Sequence, residues 1–433
     1  MRDIQYRKVL PVLGAYDVIV AGAGPAGICA AVAAARMGAK TVLVERYGTV
    51  GGNLTVGYVG PILGMVGKGT MRDEIVSLLG VPNNDMIGEV GVAHDIEKAK
   101  IALTEFVSHE NLTVYLQTPV TDVIKEGDAV TGIAVLTKDG LKVIEGKTII
   151  DCTGDGDVAF FAGAEYQKGR EDGLMQPVTL EFKIDHVDES RAIVCIGDVD
   201  EVELNGQRFL DYCKECAEEG LLPENLAAVR LHRTAVPGER QVNTTQVNRI
   251  DSTDPSQLYR AEKELRNQIE ILIDFFRTYL PGYENCQLKS SGDTLGVRES
   301  RRIMGKHIVT AEELASGMRF PDVAVHKAEF IVDIHNPNGA GQAEEKIQYV
   351  IPYDLPYRCF VPKETENLLV AGRCISGTHR AHASYRVMSI CMAMGQACGT
   401  AAALCAAKTI TPADLDVAEL QDALTAQGVE LFD

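Results

Sequence analysis

Three groups of residues in this chain have the types and spacing to do chemistry. The first is GAGPAG over Gly22–Gly27, including Pro25 and Ala26, which follows the apolar run YDVIV and leads into alanine-rich ICAAVAAARMG. In a strand–turn–helix setting Gly22 permits the tight turn, Gly24 lets a pyrophosphate approach the backbone, and Gly27 lets the helix pack on the strand. The helix start then offers unpaired N–H groups and the positive end of its dipole to that pyrophosphate. Glu45, followed by Arg46, closes the next apolar run, 23 residues after Gly22. A carboxylate there can accept hydrogen bonds from an adenosine ribose, and it favours a free diol over a 2′-phosphate.

The second group is the histidines and arginines. Redox chemistry on a bound dinucleotide must move a proton with the electrons, and histidine is the usual partner near neutral pH. His335 with Asp333 sits in IVDIHNPNG, where Asn336 to Gly339 predicts a turn that displays the ring. His379, Arg380, His382 and Arg386 lie just before a long apolar stretch, where a bound ring system is expected. Arg298, Arg301 and Arg302 cluster in VRESRRIMG, with a salt-bridged face as the alternative reading. For each histidine the alternative is a hydrogen-bonded structural residue. Arg233 and Arg240, with Asn243, Thr244 and Thr245, lie on an extended segment that could form a pocket floor. The third group is the glycine-dense loop from Gly48 to Gly64, containing Gly52 and Asn53. Its backbone is bare enough to stack against a ring, or to serve as a flexible connector.

The elements that must position these residues follow from the texture of the chain. Residues 16–45 read strand, glycine turn, helix, strand, and the second strand has the continuous apolar run of a parallel strand buried on both faces. Helix signals fall near Arg72–Leu79 and Asp95–Glu110, and a hairpin is predicted at Asp139-Gly140. From 171 to 355 charged amphipathic helices, Leu258 to Tyr279 the clearest, alternate with extended segments, and the chain then returns to α/β texture. The expected architecture is α/β: a Rossmann-like cofactor domain built on a parallel sheet in three layers, formed by 1–170 and 356–433. An α+β substrate domain, 171–355, is inserted into it, with 290–318 able to pack on the cofactor domain. Two further strand-end motifs, TIIDCTGDGD and NLLVAGRCISG, lie far downstream of the first. A cofactor as long as FAD draws on several distant segments, whereas a nicotinamide dehydrogenase concentrates its contacts in one half.

Composition sets limits. The chain has 433 residues, 46% hydrophobic and 24% charged, which is ordinary for globular protein and long for one core. Its formal charge of −19 argues against nucleic acid as a partner. The N-terminus lacks a signal-peptide pattern. Met388 to Ala407 is twenty residues without a formal charge, rich in Ala, Gly, Cys and Met, which predicts a buried, closely packed helix rather than a membrane span. Eleven scattered cysteines read as reduced thiols in a cytoplasmic protein, and the single Cys213-x-x-Cys216 pair has no second pair to make a metal site.

GAGPAG, TGDGD, VRESRRIMG, DIHNPNG and the AGRCISGTHRA…MGQACGTAAA ending together resemble the bacterial FAD-dependent oxidoreductase family, related in fold to the glutathione-reductase and fumarate-reductase flavoproteins. The resemblance covers most of the chain and is weakest at 186–230. It implies FAD as cofactor, lined by Gly22, Gly24, Gly27, Glu45, Gly52, Gly154, Asp155, Gly372 and Arg373. Related disulfide reductases carry Gly-Asp where this chain has Gly372-Arg373; an arginine accepts no hydrogen bond, so that contact must be made otherwise. It also implies a helix beginning near Ser384 that aims its N-terminus at the flavin. The expected reaction is hydride transfer between flavin and a small polar organic substrate, with His335, His379 and Arg380 as catalytic candidates and a separate electron donor or acceptor as partner. Flavin-dependent monooxygenation and a non-catalytic binding protein of the same fold are the alternatives; self-association is left open.

Overall fold

A computed structural model describes residues 7–81, 92–197, 201–344 and 348–432. Strand β1 (Val12–Ala21) is the spine of the main sheet, flanked by β2 (Thr41–Val44) and β6 (Gly140–Asp151). With β3 (Leu112–Tyr115), β4 (Val120–Glu126) and β5 (Ala129–Thr137) the order is β3-β2-β1-β6-β5-β4. β1, β2 and β3 run parallel, as do β1 and β6, while β4, β5 and β6 form an antiparallel meander. The predicted hairpin is the β5–β6 turn, where Thr137 pairs with Gly140. The second half of β6 instead pairs in parallel with the late strand Leu368–Val370. Ala21 is in register with both Val44 and Asp151, and Asp151 with Val370. Four carboxyl ends thus stop side by side, and the loops leaving them carry GAGPAG, Glu45-Arg46, CTGDGD and AGRC. That edge is where ligands bind in open parallel sheets.

Helix α1 (Pro25–Arg36) packs against the long helix Met388–Lys408. A Cβ on Gly395 would lie 2.0 Å from the Ala26 carbonyl oxygen, and one on Gly399 2.2 Å from that of Ala30, so the two backbones almost touch. The long helix is apolar and long enough to cross a bilayer, but 89% of that stretch is buried in the protein core. Its start differs from expectation. Ser384 belongs to a separate short helix, His379–Tyr385, where its hydroxyl donates to the Phe330 carbonyl and bonds Tyr353. The chain then turns through extended Val387, and the long helix begins at Met388.

A second hydrophobic core spans Val178–Cys286. Its antiparallel sheet has the order Leu231–Arg233, Arg240–Val242, Phe182–Asp185, Gln287–Ser291. The helix Pro255–Tyr279 buries Ala261, Leu265, Ile269, Leu272, Ile273 and Phe276, and is capped by the Asp254 carboxylate accepting from the Ser256 N–H. Cys213 and Cys216 are buried on the helix Phe209–Glu218 in the same core. Ile303, Val309 and Leu314, within 290–318, belong to the first core, and so do Val325, Phe330 and Tyr353, which precede the expected return at 356. The reason is pairing. Arg301–Ile303 joins Tyr166–Lys168, and the strand Val323–Ala328, paired with Tyr353–Pro356, lies on the long helix.

Candidate functional site

A cavity of about 1210 Å³ of empty space, counting its open mouth, runs along the carboxyl edge of the sheet from the glycine turn to the start of the long helix. At the turn, a Cβ on Gly27 would sit 1.8 Å from the Gly22 carbonyl oxygen, so any side chain would push the helix off the strand. At Gly24 a Cβ would meet nothing within 4 Å, which leaves the backbone open to the cavity. The Glu45 carboxylate accepts from the Ala23 N–H at 2.6 Å and the Tyr47 N–H at 2.9 Å. These bonds fix its orientation and leave two lone-pair sites for a ligand. The Arg46 guanidinium lies over the Tyr47 ring, 4.8 Å from its centroid. The loop after β2 is packed, not a flexible connector: Gly51 N–H donates to the Ala23 carbonyl at 2.7 Å, and a Cβ on Gly52 would lie 2.8 Å from Gly24 Cα.

From the other side come the β6 loop and Gly372-Arg373. Asp151 accepts from the Thr153 N–H and hydroxyl and from the Ala159 N–H, and burial pushes its carboxyl up to about 6. It shapes the loop that presents Thr153 and Gly154. Asp155 lies behind, accepting from Arg373 and from the Ser300 hydroxyl, each at 2.6 Å. Burial pushes Asp155 up, but Arg373, Ser300 and Arg46 together outweigh it and hold the carboxyl below its ordinary value. Arg373, which can accept nothing, thus brings a carboxylate with it.

Gly22, Gly24, Pro25, Ala26, Glu45, Arg46, Gly52, Asn53, Gly154, Gly372 and Arg373 all line this one cavity, while Gly27 and Asp155 stand behind it. Thr118, Pro119 and Val120 also line it, and no motif marked them. They arrive because Thr118 N–H donates to the Glu45 carbonyl and Gln117 N–H to that of Tyr47, continuing the β2–β3 ladder.

At the inner end the walls are Val297, Arg386, Met388 and Cys391. Arg386 Nη2 donates to the Asp333 carboxylate at 2.8 Å and to the Asp333 carbonyl at 3.0 Å. The same carboxylate takes the Gln342 amide at 2.6 Å and pairs with His335 Nε2 at 3.3 Å. His335 is buried, not displayed, because its backbone bridges back to Gln342 and its N–H donates to the Gln176 side chain. Burial first, then Arg298, pushes the His335 imidazole down to about 4 against the pull of Asp333, so it is neutral at pH 7. With Nε2–H assigned to the carboxylate, Nδ1 is an acceptor, and it has no partner among the described residues.

The model of the FAD dependent oxidoreductase family matches residues 17–424. The chain belongs to that family. A stretch of 55 residues is 46% identical to dihydrolipoyl dehydrogenase of Trypanosoma brucei brucei, covering 12% of each chain. Among solved structures, GidA of Aquifex aeolicus has a TM-score of 0.50 at 17% identity, over 91% of this chain and 64% of that one. A geranylgeranyl bacteriochlorophyll reductase-like protein of Thermoplasma acidophilum has a TM-score of 0.48 at 14% identity, over 95% and 83%. At 17% identity the likeness to GidA shows the fold alone. FAD is the cofactor of the family, and the open backbone at Gly24 and the two spare lone-pair sites of Glu45 fit it.

In this FAD-dependent oxidoreductase His379 and Arg380 do not line the cavity that runs from the glycine turn, contrary to expectation. They line a second, open cavity with Lys168, Arg170 and Arg302. His379 Nδ1 pairs with Glu299 at 2.9 Å, and Arg380 pairs with Glu344. The reason is the short helix: its seven residues span about 10 Å, so its first residues and Arg386 beyond its end face different spaces. Arg302 pairs with Glu299, and Arg301 with Asp157 at 2.8 Å. His382 is buried in the core, and Arg240 is held by Glu189 at 2.6 Å, away from the cavity.

Proposed function

We propose that the enzyme moves a hydride between its flavin and a small polar organic substrate at the inner end of the cavity. One observation carries this: the cavity that begins at the glycine turn ends at Arg386, whose ion pair with Asp333 leads on to the buried His335. In this reading the backbone of Gly22 to Ala26 holds the pyrophosphate, Glu45 the adenosine ribose, and Arg373, itself positioned by Asp155 behind it, the middle of the cofactor. FAD supplies the ring that accepts or donates the hydride. Met388 opens the long helix onto the inner end, and the positive end of that helix favours negative charge there. His335 is the proposed proton carrier: Asp333 orients the ring through Nε2, leaving the lone pair of Nδ1 to accept a proton. The eleven free, buried thiols suit a reducing compartment.

Absorbance of the purified protein in the flavin bands is the first test, followed by an anaerobic substrate screen that reads flavin bleaching. A preparation that carries no flavin and takes none up would sink the reading.

A further inference from the structure

The inner end of the cavity carries a charge imbalance that the cofactor-binding half does not. Arg386 lines the cavity, and Arg298, next in the chain to the wall residue Val297, is buried behind that wall. Its guanidinium donates to the Pro177 carbonyl at 2.9 Å and reaches the Asn243 side-chain oxygen at 3.5 Å. Among the described residues no carboxylate forms an ion pair with it. Arg386 has Asp333, but among the described residues its Nε is buried without a partner, as are His335 Nδ1 and Gln176 Nε2 beside it. The other acid that Arg298 feels is Glu181, whose buried carboxyl is pushed up to about 8 and so stays protonated at neutral pH, with Gln241 donating to it at 2.9 Å. Crowding among these groups also pulls Arg298 itself down to about 9, by burial first and then by Arg386. Among the described residues Arg298 and Arg386 therefore share one ionised carboxylate, Asp333, and a third guanidinium, Arg230, also acts on Arg298, Glu181 and His335. An unbalanced buried charge is costly, and a cluster that keeps one is completed by an oppositely charged group from outside. Guanidinium is the side chain best matched to a planar carboxylate, which it can bind through two parallel bonds.

We infer that the substrate carries a carboxylate, anchored at the inner end by Arg298 and Arg386, with Gln176 and His335 supplying the remaining polar contacts. This rests on the reading of that end as the substrate end. The anion adjoins His335, where its charge favours the protonated imidazole and so assists proton uptake at Nδ1.

The test uses FAD-loaded protein with the flavin oxidised, so that the ring carries no negative charge of its own. Acetate, pyruvate, succinate and benzoate are titrated in turn, with acetamide and sodium chloride at matched ionic strength as controls. Flavin absorption and thermal midpoint are followed together. At least one carboxylate is expected to saturate both signals where neither control does. Arg298→Gln weakens that binding tenfold or more, Arg298→Lys weakens it less, and Asp333→Asn, which removes the competing internal carboxylate, tightens it. Flavin-loaded protein on which no carboxylate outperforms chloride overturns the inference, as does Arg298→Gln that binds like the wild type. If Arg298→Gln does not fold, an unchanged affinity in both Arg298→Lys and Asp333→Asn overturns it equally. Protein that holds no flavin defeats the reading of function instead, and the thermal titration of that apoprotein still decides the anion site.

Discussion

Two histidine–arginine clusters stand back to back in this protein, and they differ in how their charge is balanced. They meet at Gln176, whose backbone N–H donates to Glu299 on one side and whose side-chain oxygen takes the His335 N–H on the other. Around His379 every cation is matched: Lys168 with Asp251, Arg170 with Asp172, Arg302 with Glu299 and Arg380 with Glu344. Around His335, among the described residues, Arg298 forms no ion pair, one carboxyl is held protonated, and several buried polar atoms have no hydrogen-bond partner. A closed network of that first kind holds segments together. The second kind leaves polar capacity unused, and through Arg386 it adjoins the cavity that runs from the glycine turn.

The largest expected effect separates the two directly. Glu299→Gln leaves Arg302 buried without its counter-charge and should cost about 3–5 kcal/mol of stability, read as a drop in melting temperature. Flavin bound per folded molecule should not change; its loss would mean that the two clusters act as one. His335→Gln should keep the yellow colour while slowing hydride exchange with a turned-over substrate about a hundredfold by rapid mixing. Normal rates there would reduce His335 to the status of His379.

Glu181→Gln tests the protonated acid. The folded-state value is raised to about 8 from an ordinary 4.5, so the stability contributed by its proton is complete below 4.5 and is lost as pH rises through 8. The variant keeps a neutral side chain throughout. It should therefore melt close to the wild type at pH 5 and above it at pH 9, and parallel curves would show that Glu181 is ionised at neutral pH. The smallest effect is assigned to His379→Ala, which removes one hydrogen bond to a charged group, costs about 1.5–3 kcal/mol, and should leave turnover within twofold.

How much of this was legible depends on how local the determining physics is. The glycine turn was, because Gly22, Gly24 and Gly27 act on their own backbone and on the strand and helix beside them. Glu45 was too, since a residue at the end of the second strand of such a unit must stand next to the first turn. Thr118 to Val120 carried no mark, because they reach the cavity only through a backbone ladder between strands that are far apart in sequence. His335 and His379 looked alike in sequence, each next to acidic or basic residues and a turn. A seven-residue helix and a bridge to Gln342 placed them in different spaces.

Spacing and residue type in the first 45 residues determined the fold class and the glycine turn at one end of the cavity, since backbone sterics and a dipole at a helix end need no distant partner. Only the tertiary structure decided where the second core ends, where the long helix begins, and which arginine forms no ion pair among the described residues. Those are outcomes of long-range pairing and burial, and charge balance in a low dielectric exists only once the chain has closed around it.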